Sequence, residues 1–462
     1  MKMDAFTGFV ERWLAPSANK IAGQKHIQVL QSAFLTLIPF FTIGSFALII
    51  ITPPVDYTSM GEGFGRSFFA GWQAVADFTS TALNPIYQVT VGAISLYVAA
   101  GIGFYLAKHH KMTTFLPVAV SLATFAVLGL VDGEGALTTA YLGGTGLFTA
   151  IVGSILGFEL YRFLLAKRIG HIELAGGGVP PALTDSIGAL VPITVVLLGA
   201  GVISALTTWL TDNPFPALIG TLMEPVVGGV DSVWGIALLA LLVMLLWWFG
   251  IHDTVITGPL TPFLLNNLTA NTAAYAAGTA AIALPYVVTE PFWWTFMAIG
   301  GSGATLGLAF MAVFSKSRQI KTVGRLTIVP SLFNINEPLI FGLPLMYNPV
   351  LMFPFVFTMA FNAVVTFLFM DAGLVARTFA DPSWNMISPI GAMLSTMDLK
   401  AVALVVGLIV VDALIYFPFF KVFERQRIAQ EQAEDSADDS VDATNPDIPT
   451  TTPRDDALEA QA

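Results

Sequence analysis

The stretch Phe333-Asn334-Ile335-Asn336-Glu337-Pro338-Leu339-Ile340-Phe341-Gly342-Leu343-Pro344 decides how the whole sequence is interpreted. It places one carboxylate, two amides and two prolines between apolar runs. An ionisable side chain near the centre of a bilayer costs roughly 2.5 to 3.5 kcal/mol on insertion scales, so a retained one usually faces a cavity. Pro338 and Pro344 lack the backbone N–H that a continuous helix needs. The stretch therefore predicts a broken or re-entrant segment that lines a binding site.

The composition predicts an all-α polytopic membrane protein. The chain has 462 residues, of which 55% are hydrophobic and 11% are charged, and its mean hydropathy is +0.75. Long apolar runs are typical of membrane helices, whereas a transmembrane barrel would show short alternating strands. The sequence has no cysteine, which excludes disulfides and a cysteine nucleophile. We expect no metal site and no cofactor, because the histidines are scattered and neither an HExxH nor a P-loop pattern occurs.

Negative charge is concentrated at the C-terminal end of the sequence. The formal net charge is −11, and residues 431–462 contain ten acidic residues but one basic residue. This end has no aromatic residue, so we expect residues 425–462 to form a disordered acidic tail on the cytoplasmic side. No basic surface indicates a nucleic-acid partner. We also expect no signal peptide, because the first long apolar run begins only after Ala22 and is span-length.

The apolar runs divide the sequence into two halves. Residues 1–25 predict an interfacial cytoplasmic helix, for which packing on the protein itself is an equal alternative. Residues 26–230 are typical of a scaffold of continuous spans. Residues 231–424 contain apolar segments interrupted by proline and glycine, which are typical of the site-forming hairpins of transporters. Basic clusters occupy one set of connections, so the positive-inside rule predicts that both termini are cytoplasmic.

Glu337, Asn334 and Asn336 form the strongest candidate site. A carboxylate accepts hydrogen bonds from hydroxyl groups, and an amide both donates and accepts them, which suits a neutral sugar. The alternative is a structural polar cluster that satisfies the backbone groups freed by Pro338.

His252 is a second candidate, because it follows the apolar run that ends in Trp247-Trp248-Phe249-Gly250-Ile251. A neutral imidazole binds a hydroxyl group or exchanges a proton near neutral pH. A structural histidine at the end of a span is the alternative interpretation.

Glu290 repeats the pattern of an acid before a proline within an apolar region. Trp293 and Trp294 follow it, and we interpret them as part of an interfacial aromatic belt in preference to sugar-stacking residues. Further along the chain, Gly303 and Gly307 form a GxxxG pattern, which predicts close helix packing.

The sequence resembles enzyme IIC, the membrane component of the lactose/cellobiose family of the phosphoenolpyruvate-dependent sugar phosphotransferase system. The resemblance rests first on the residues from Asn334 to Pro338 and from Phe341 to Pro344, and it covers about residues 5–427. The other motifs that carry it are Ala22-Gly23-Gln24-Lys25-His26, Tyr141-Leu142-Gly143, Val179-Pro180-Pro181-Ala182, Trp248-Phe249-Gly250-Ile251-His252 and Tyr416-Phe417-Pro418-Phe419-Phe420.

The resemblance implies a homodimer of about ten transmembrane helices with two re-entrant hairpins in the bacterial cell membrane. Residues 26–230 would build the dimer interface, and residues 231–424 would hold the sugar and move in an elevator-like manner. A separate cytoplasmic IIB protein, with IIA upstream, would pass a phosphoryl group from its cysteine to the sugar 6-hydroxyl. A chain without cysteine fits a phosphocysteine donor on another polypeptide.

The resemblance also assigns roles to individual residues. Glu337 and His252 would contact the sugar near the reacting hydroxyl and act catalytically, and Trp384 would pack on the sugar. The loop Gly143-Gly144-Thr145 would offer further substrate contacts. The sequence departs from the family in two places: Asp253 stands where glycine is usual, and residues 385–388 are not the usual threonine-rich run.

We therefore predict a permease that couples translocation of a disaccharide of the cellobiose, diacetylchitobiose or lactose type to its phosphorylation. One alternative is an ion-coupled secondary transporter in which Glu337 and Glu290 bind protons or sodium. The other alternative is a sugar-sensing membrane receptor.

Overall fold

The computed structural model describes residues 24–54, 56–130, 136–170, 172 and 186–444, and this part of the chain is predominantly helical. Residues 1–23, with nearly all of the predicted interfacial helix, lie outside the described residues, as does the motif at residues 179–182.

The helices are numbered in chain order. The N-terminal part contains α1 (Lys25–Ile51), α2 (Phe64–Val89), α3 (Ile94–His109), α4 (Phe115–Gly129), α5 (Leu147–Ala166), α6 (Leu190–Thr211) and α7 (Phe215–Val230). The C-terminal part contains α8 (Val233–Trp248), α9 (Thr254–Ala276), α10 (Leu306–Val313), α11 (Arg318–Leu332), α12 (Glu337–Gly342), α13 (Met352–Asp371), α14 (Ser388–Thr396) and α15 (Leu399–Thr444). A single π-helical turn, Phe292–Met297, precedes α10.

The long helices are apolar enough to cross a membrane. Within the described ranges, six helices meet the length and hydropathy expected of a span, or seven when α7 and α8 are counted as one span bent by 71°. This result supports the predicted all-helical, multi-pass membrane protein. The expectation of about ten transmembrane helices stays a prediction.

The two largest hydrophobic cores of the described residues both include residues of α9. The first core contains residues of α1, α3, α4 and α5, such as Phe34 and Phe125. The second core contains residues of α8, α10, α13 and α15, such as Met244 and Phe355. Leu264 of α9 belongs to the second core and Leu268 belongs to the first, so α9 joins the two.

Helix α9 is continuous, although it lies in the region of 231–424 where proline and glycine predict interrupted apolar segments. The structure shows one helix of 23 residues with Pro259 and Pro262 inside it. A proline in a helix interior costs about 3 kcal/mol, because it removes a hydrogen bond and crowds the preceding turn. The burial of α9 against both cores offsets that cost. This tertiary packing is not predictable from the local sequence around the prolines.

Two tight turns, which we call tips, interrupt the helices of the C-terminal part. The first tip is Gly300–Gly303, where Gly300, Gly301 and Gly303 have φ angles of 76°, 96° and 86°. The second tip is residues 333–336, where Asn334 has a φ of 61°. A β-carbon on Gly301 would lie 2.4 Å from the side-chain oxygen of Asn336, so only glycine allows the two tips to meet.

The same tip changes the interpretation of the GxxxG pattern. Gly303 is a turn residue and not part of a helix face, whereas Gly307 does lie in α10. A β-carbon on Gly307 would come within 2.7 Å of the backbone of Ala413, so this glycine alone supports the close packing of α10 on α15.

The C-terminal segment also differs from the expectation of disorder over residues 425–462. Helix α15 continues to Thr444, and residues 445–462 lie outside the described part. Glu424, Glu431 and Asp435 of α15 bind the linker that precedes α11 and its first residue. We call this group, which comprises residues 315–318 with Glu424, Glu431 and Asp435, the acid clamp. Carboxylate oxygens of α15 accept hydrogen bonds from backbone N–H groups at the start of α11, and composition alone does not predict these contacts.

Candidate functional site

A cavity of about 210 Å³ lies between α1, α9 and the two tips. Its walls combine apolar side chains of α1 with hydroxyl groups of α9 and with acidic and aromatic side chains from the broken segments. The polar lining residues are Gln31, His252, Asp253, Thr254, Thr257, Thr261, Glu290, Ser302, Asn334, Asn336, Glu337 and Asp381, and the tryptophans are Trp294 and Trp384. A mostly apolar cavity with a few converging polar groups is typical of a small-molecule site.

The cavity brings together six of the nine residues that the sequence singled out. They are His252, Glu290, Asn334, Asn336, Glu337 and Trp384. The structure does not place the loop Gly143-Gly144-Thr145 among the lining residues. A β-carbon on Gly144 would lie 1.7 Å from the hydroxyl oxygen of Thr269 in α9, and Ser95 donates a 2.7 Å hydrogen bond to the Gly143 carbonyl. The loop therefore packs α5 against α9 in this structure.

Asn334 joins the two tips and does not offer a free amide to a ligand. Its Oδ1 accepts a 2.8 Å hydrogen bond from the backbone N–H of Gly300. Its Nδ2 donates to the carbonyl groups of Trp294 at 3.1 Å and Trp384 at 3.0 Å. The left-handed backbone of Asn334 and its 6% exposure fit this role. The structural alternative is the better description of this residue.

Asn336 has a similar role at the other side of the turn. Its Nδ2 donates to the carbonyl oxygen of Ser302 at 2.8 Å and to the hydroxyl of Thr305 at 2.7 Å. Both amide hydrogens are therefore used to hold the glycine-rich tip. Asn336 contributes to the cavity mainly by fixing the position of the tip.

Glu337 differs from the two asparagines, because one of its side-chain oxygens makes no hydrogen bond within the protein. It is the first residue of α12, one position after Asn336. Its Oε2 atom is buried and has no hydrogen-bond partner. A buried acceptor without a partner costs about 1 to 3 kcal/mol, and a hydrogen bond from a water or from a ligand hydroxyl would remove that cost.

Glu290 and two tryptophans form the adjoining wall. Trp294 Nε1 donates a 2.8 Å hydrogen bond to Glu290 Oε1, while Glu290 Oε2 is buried without a partner. The ring of Trp294 lies 6.2 Å from the ring of Trp384 at an angle of 57°. Trp293 is 1% exposed, within the second core. The interpretation of Trp293 and Trp294 as an interfacial belt is therefore wrong, because both rings face the protein interior.

His252 lies in the loop between α8 and α9. Its Nδ1 is 2.9 Å from Asp253 Oδ1, and its ring centroid is 4.5 Å from that of Trp247. The hydrogen bond with Asp253 raises the pKa of His252, burial lowers it, and the charges of Asp253 and Glu337 raise it further. Asp253 also accepts a hydrogen bond from the hydroxyl of Ser302. The imidazole is thus held in place between an aromatic ring and a carboxylate.

Asp381 is a lining residue that sequence reasoning missed. It is 6% exposed, its backbone N–H donates to the Ser45 hydroxyl at 2.9 Å, and its Oδ1 accepts from the N–H of Ser383 at 3.0 Å. Its position three residues before Trp384 and directly before Pro382, in the pattern of Glu290 and Glu337, was the signal available in the sequence. Gln31 and the threonines of α9 gave no such signal, because they are ordinary polar residues within apolar helices.

The arrangement is suited to binding hydroxyl groups and moving a proton. Asp253, Glu290, Glu337 and Asp381 supply acceptors, and no lysine or arginine is among the lining residues. Within the described ranges, no group of three or more histidine, aspartate or glutamate side chains is arranged to hold a metal ion. The unpartnered carboxylate oxygens and the paired tryptophans instead fit a neutral polyol with flat apolar faces.

The comparisons with known proteins identify the family of the chain. The profile of the family "Phosphotransferase system, EIIC" matches residues 31–359. The cellobiose-specific EIIC component of Geobacillus stearothermophilus is 31% identical over 96% of this chain and 100% of its own length. The lichenan permease IIC component of Bacillus subtilis (strain 168) is 31% identical over 93% of this chain and 96% of its own.

A solved structure gives the same result for the fold. The crystal structure of ChbC, the IIC component of the N,N'-diacetylchitobiose-specific phosphotransferase system, superposes with a TM-score of 0.83 and 30% identity. The match covers 92% of this chain and 99% of that structure. The family resemblance drawn from the motifs is thereby confirmed, and this chain belongs to the EIIC family of membrane permease components of the sugar phosphotransferase system.

Proposed function

We propose that this permease binds a neutral disaccharide through Glu337 and presents one sugar hydroxyl for phosphorylation. The observation that carries the proposal is the buried, unpartnered Oε2 of Glu337 in a cavity that also contains His252 and Trp384. A sugar hydroxyl would donate to Oε2 and satisfy it. Trp384, which is 37% exposed, would pack on the apolar face of a sugar ring.

The substrate class follows from the relatives, whose names specify cellobiose, lichenan and N,N'-diacetylchitobiose. We infer a disaccharide of the cellobiose, diacetylchitobiose or lactose type. The cavity of about 210 Å³ is smaller than the roughly 300–1,000 Å³ of sites for drug-sized ligands. Binding of two sugar rings would therefore require that α1 and the hairpin tips separate.

The phosphoryl donor in this proposal is a phosphocysteine of a separate IIB protein, charged by IIA. Phosphoryl transfer depends mainly on positioning and on control of charge around the attacking oxygen. Glu337 would orient the 6-hydroxyl, and His252 would share its proton. The phosphorylated product carries negative charge, so the acidic cavity would repel it. The product would therefore leave to the cytoplasm and would not bind again.

The transport step is proposed to be elevator-like. The core packed around α13 would move with the cavity relative to the core packed around α3, and α9 would adjust between them. In the same proposal, the broken segments are re-entrant hairpins, both termini are cytoplasmic, and residues 26–230 mediate a homodimer. The division of the described apolar residues into two main hydrophobic cores, both of which include residues of α9, supports such a relative movement.

The test uses the purified full chain in proteoliposomes with a phosphorylated IIB protein. We expect uptake and phosphorylation of a β-linked disaccharide in the same assay, and loss of both when the phosphorylated IIB protein is left out. Full uptake of unmodified sugar in the absence of the IIB protein would contradict the proposal.

Ion-coupled transport is the second candidate, because Glu290 Oε2 is also buried without a partner. In that case, a pH or sodium gradient alone would drive sugar accumulation. The same proteoliposomes, loaded with a gradient and lacking the IIB protein, distinguish the two candidates.

A further inference from the structure

Asp412 is a buried acid that belongs neither to the cavity nor to the acid clamp. It lies within α15, is 1% exposed, and is bound by the buried side chain of Asn362 in α13. Asn362 Nδ2 donates a 3.0 Å hydrogen bond to Asp412 Oδ2. The other carboxylate oxygen, Oδ1, is buried and has no hydrogen-bond partner. One of the two oxygens of this acid is therefore left without a donor.

The surroundings of Asp412 offer no positive charge. None of the ion pairs formed among the described residues includes it. Leu408 and Tyr416, one turn before and one turn after it in α15, belong to the second hydrophobic core. Transfer of an unpaired carboxylate into such an apolar environment costs far more than transfer of the neutral acid, so a group of this kind binds a proton instead.

The amide of Asn362 lacks the same kind of partner. Its Nδ2 uses one hydrogen on Asp412 and the other on the carbonyl of Met297 at 3.3 Å. Its Oδ1 is buried and has no hydrogen-bond partner. Two bonded side chains thus each retain one unpartnered oxygen, and an ionised carboxylate cannot donate to the other oxygen. A carboxylic acid can donate, so one proton on Asp412 would remove the charge and supply the missing donor.

We propose that Asp412 holds a proton at neutral pH and forms a reciprocal acid–amide pair with Asn362. In this pair, Asn362 Nδ2 donates to Asp412 Oδ2, and the protonated Oδ1 of Asp412 donates to Asn362 Oδ1. The proton site lies outside the sugar cavity, and the proposal does not depend on the proposed function.

The contacts of α13 and α15 place this pair behind the glycine-rich tip. Asn362 binds the carbonyl of Met297, the last residue of the π-helical turn that precedes the tip. Tyr416 of α15 donates a 2.8 Å hydrogen bond to the carbonyl of Gly303 within the tip. Ser302 of the same tip lines the cavity. A neutral acid–amide pair would hold the two helices together behind the tip without a buried charge.

The direct test is infrared spectroscopy of the purified full chain in lipid nanodiscs at neutral pH, without sugar or IIB protein. A protonated carboxyl group has a C=O stretching band at higher frequency than a carboxylate. We expect this band in the wild type and its partial or complete loss in Asp412→Asn. The matched control is Asp371→Asn, because Asp371 is exposed and pairs with Arg377 at the end of α13; it should retain the full band. Loss of carboxylate bands alone in Asp412→Asn would overturn the proposal.

Two substitutions of Asp412 separate a neutral pair from a required negative charge. Asparagine has the shape and neutrality of protonated aspartate, and its amide provides one acceptor and a donor for Asn362. We therefore expect Asp412→Asn to unfold near the wild-type temperature. Asp412→Leu leaves the polar atoms of Asn362 without these partners, so we expect a clearly lower unfolding temperature. Equal destabilisation by the two substitutions, or failure of both to fold, would overturn the proposal.

A sodium ion or a water molecule are the other groups able to complete the two oxygens, and the same samples test both. A sodium ion would bind the ionised carboxylate, so sodium would raise the unfolding temperature of the wild type but not that of Asp412→Asn. A water molecule that donates to both oxygens would leave Asp412 ionised, and the carboxylic-acid band that Asp412→Asn removes would be absent. Either result would overturn the proposal, which predicts the band and no sodium effect specific to Asp412.

Discussion

Two acidic regions of this molecule are built from the same residue type but differ in how their oxygens are used. In the acid clamp, Glu424 Oε1 accepts from the Ser315 hydroxyl at 2.7 Å and the Lys316 N–H at 2.8 Å, and Oε2 accepts from Lys421 at 2.8 Å. In the cavity, by contrast, Glu337 and Glu290 each retain a buried oxygen without a partner.

The difference shows how structural and ligand-binding acids are told apart in one chain. A carboxylate whose acceptor positions are filled by the protein stabilises the fold and has little to offer a ligand. A buried carboxylate oxygen without a hydrogen-bond partner destabilises the unliganded protein. A hydrogen bond from a bound hydroxyl group removes that cost. We therefore propose that the acid clamp stabilises the fold and that the carboxylates of the cavity bind the substrate.

The strongest test of this contrast is Glu337→Gln. Glutamine has nearly the same shape, but it provides a weaker acceptor and cannot take up a proton. Because a positioned acid–base group contributes roughly 10²–10⁴-fold to a rate, we expect phosphorylation of the sugar to fall by about that factor. The measurement is phosphotransfer from a phosphorylated IIB protein, followed as sugar phosphate.

Glu431→Gln is the matched control, because Glu431 belongs to the acid clamp and accepts from Ser317, Arg318 and Gln319. We expect normal phosphorylation in this variant. Equal losses in the two variants would remove the distinction between the regions.

A smaller effect is expected for Glu290→Gln. The glutamine oxygen still accepts a hydrogen bond from Trp294, so we expect the wall of the cavity to be retained. The second carboxylate oxygen is replaced by an amide nitrogen, which donates hydrogen bonds and does not accept them. We expect the dissociation constant of the disaccharide to rise about tenfold, which corresponds to about 1.4 kcal/mol. Titration calorimetry measures this change, and tighter binding by the variant would contradict a role for Glu290 as an acceptor.

Glu424→Ala should affect stability and leave sugar affinity unchanged. Glu424 is 3% exposed, and its loss leaves the Ser315 hydroxyl and the Lys316 N–H without their acceptor. We expect a loss of about 1 to 3 kcal/mol in the free energy of unfolding. Thermal unfolding in detergent checks the stability, and a changed dissociation constant for the sugar would show that the clamp communicates with the cavity.

The smallest effect is expected for deletion of residues 431–462. The deletion removes Glu431 and the exposed ion pair between Arg318 and Asp435, whose nitrogen and oxygen lie 2.7 Å apart. Exposed ion pairs contribute up to about 1 kcal/mol, so we expect a slight loss of stability and nearly normal uptake. A large loss of uptake would assign the tail a role in transport.

The sequence predicted which residues meet but not how their roles are divided. Glu337 and the two asparagines were recognisable because polar residues beside prolines are rare in apolar runs, whereas Trp384 was identified only through the family resemblance; all of them line one cavity. The side-chain partners of Asn334 lie 34 to 54 residues away in sequence, so its structural role required the fold. Asp381 was missed although it precedes Pro382 as Glu290 and Glu337 precede their prolines, and its contact with Ser45, 336 residues away, required the fold.

The most direct test of the central claim is a structure of the full chain with a bound disaccharide. The account predicts a sugar hydroxyl within hydrogen-bond distance of Glu337 Oε2, about 2.5 to 3.0 Å, with His252 beside the same hydroxyl. A sugar bound elsewhere, or a bound state in which Glu337 Oε2 still has no partner, would contradict it.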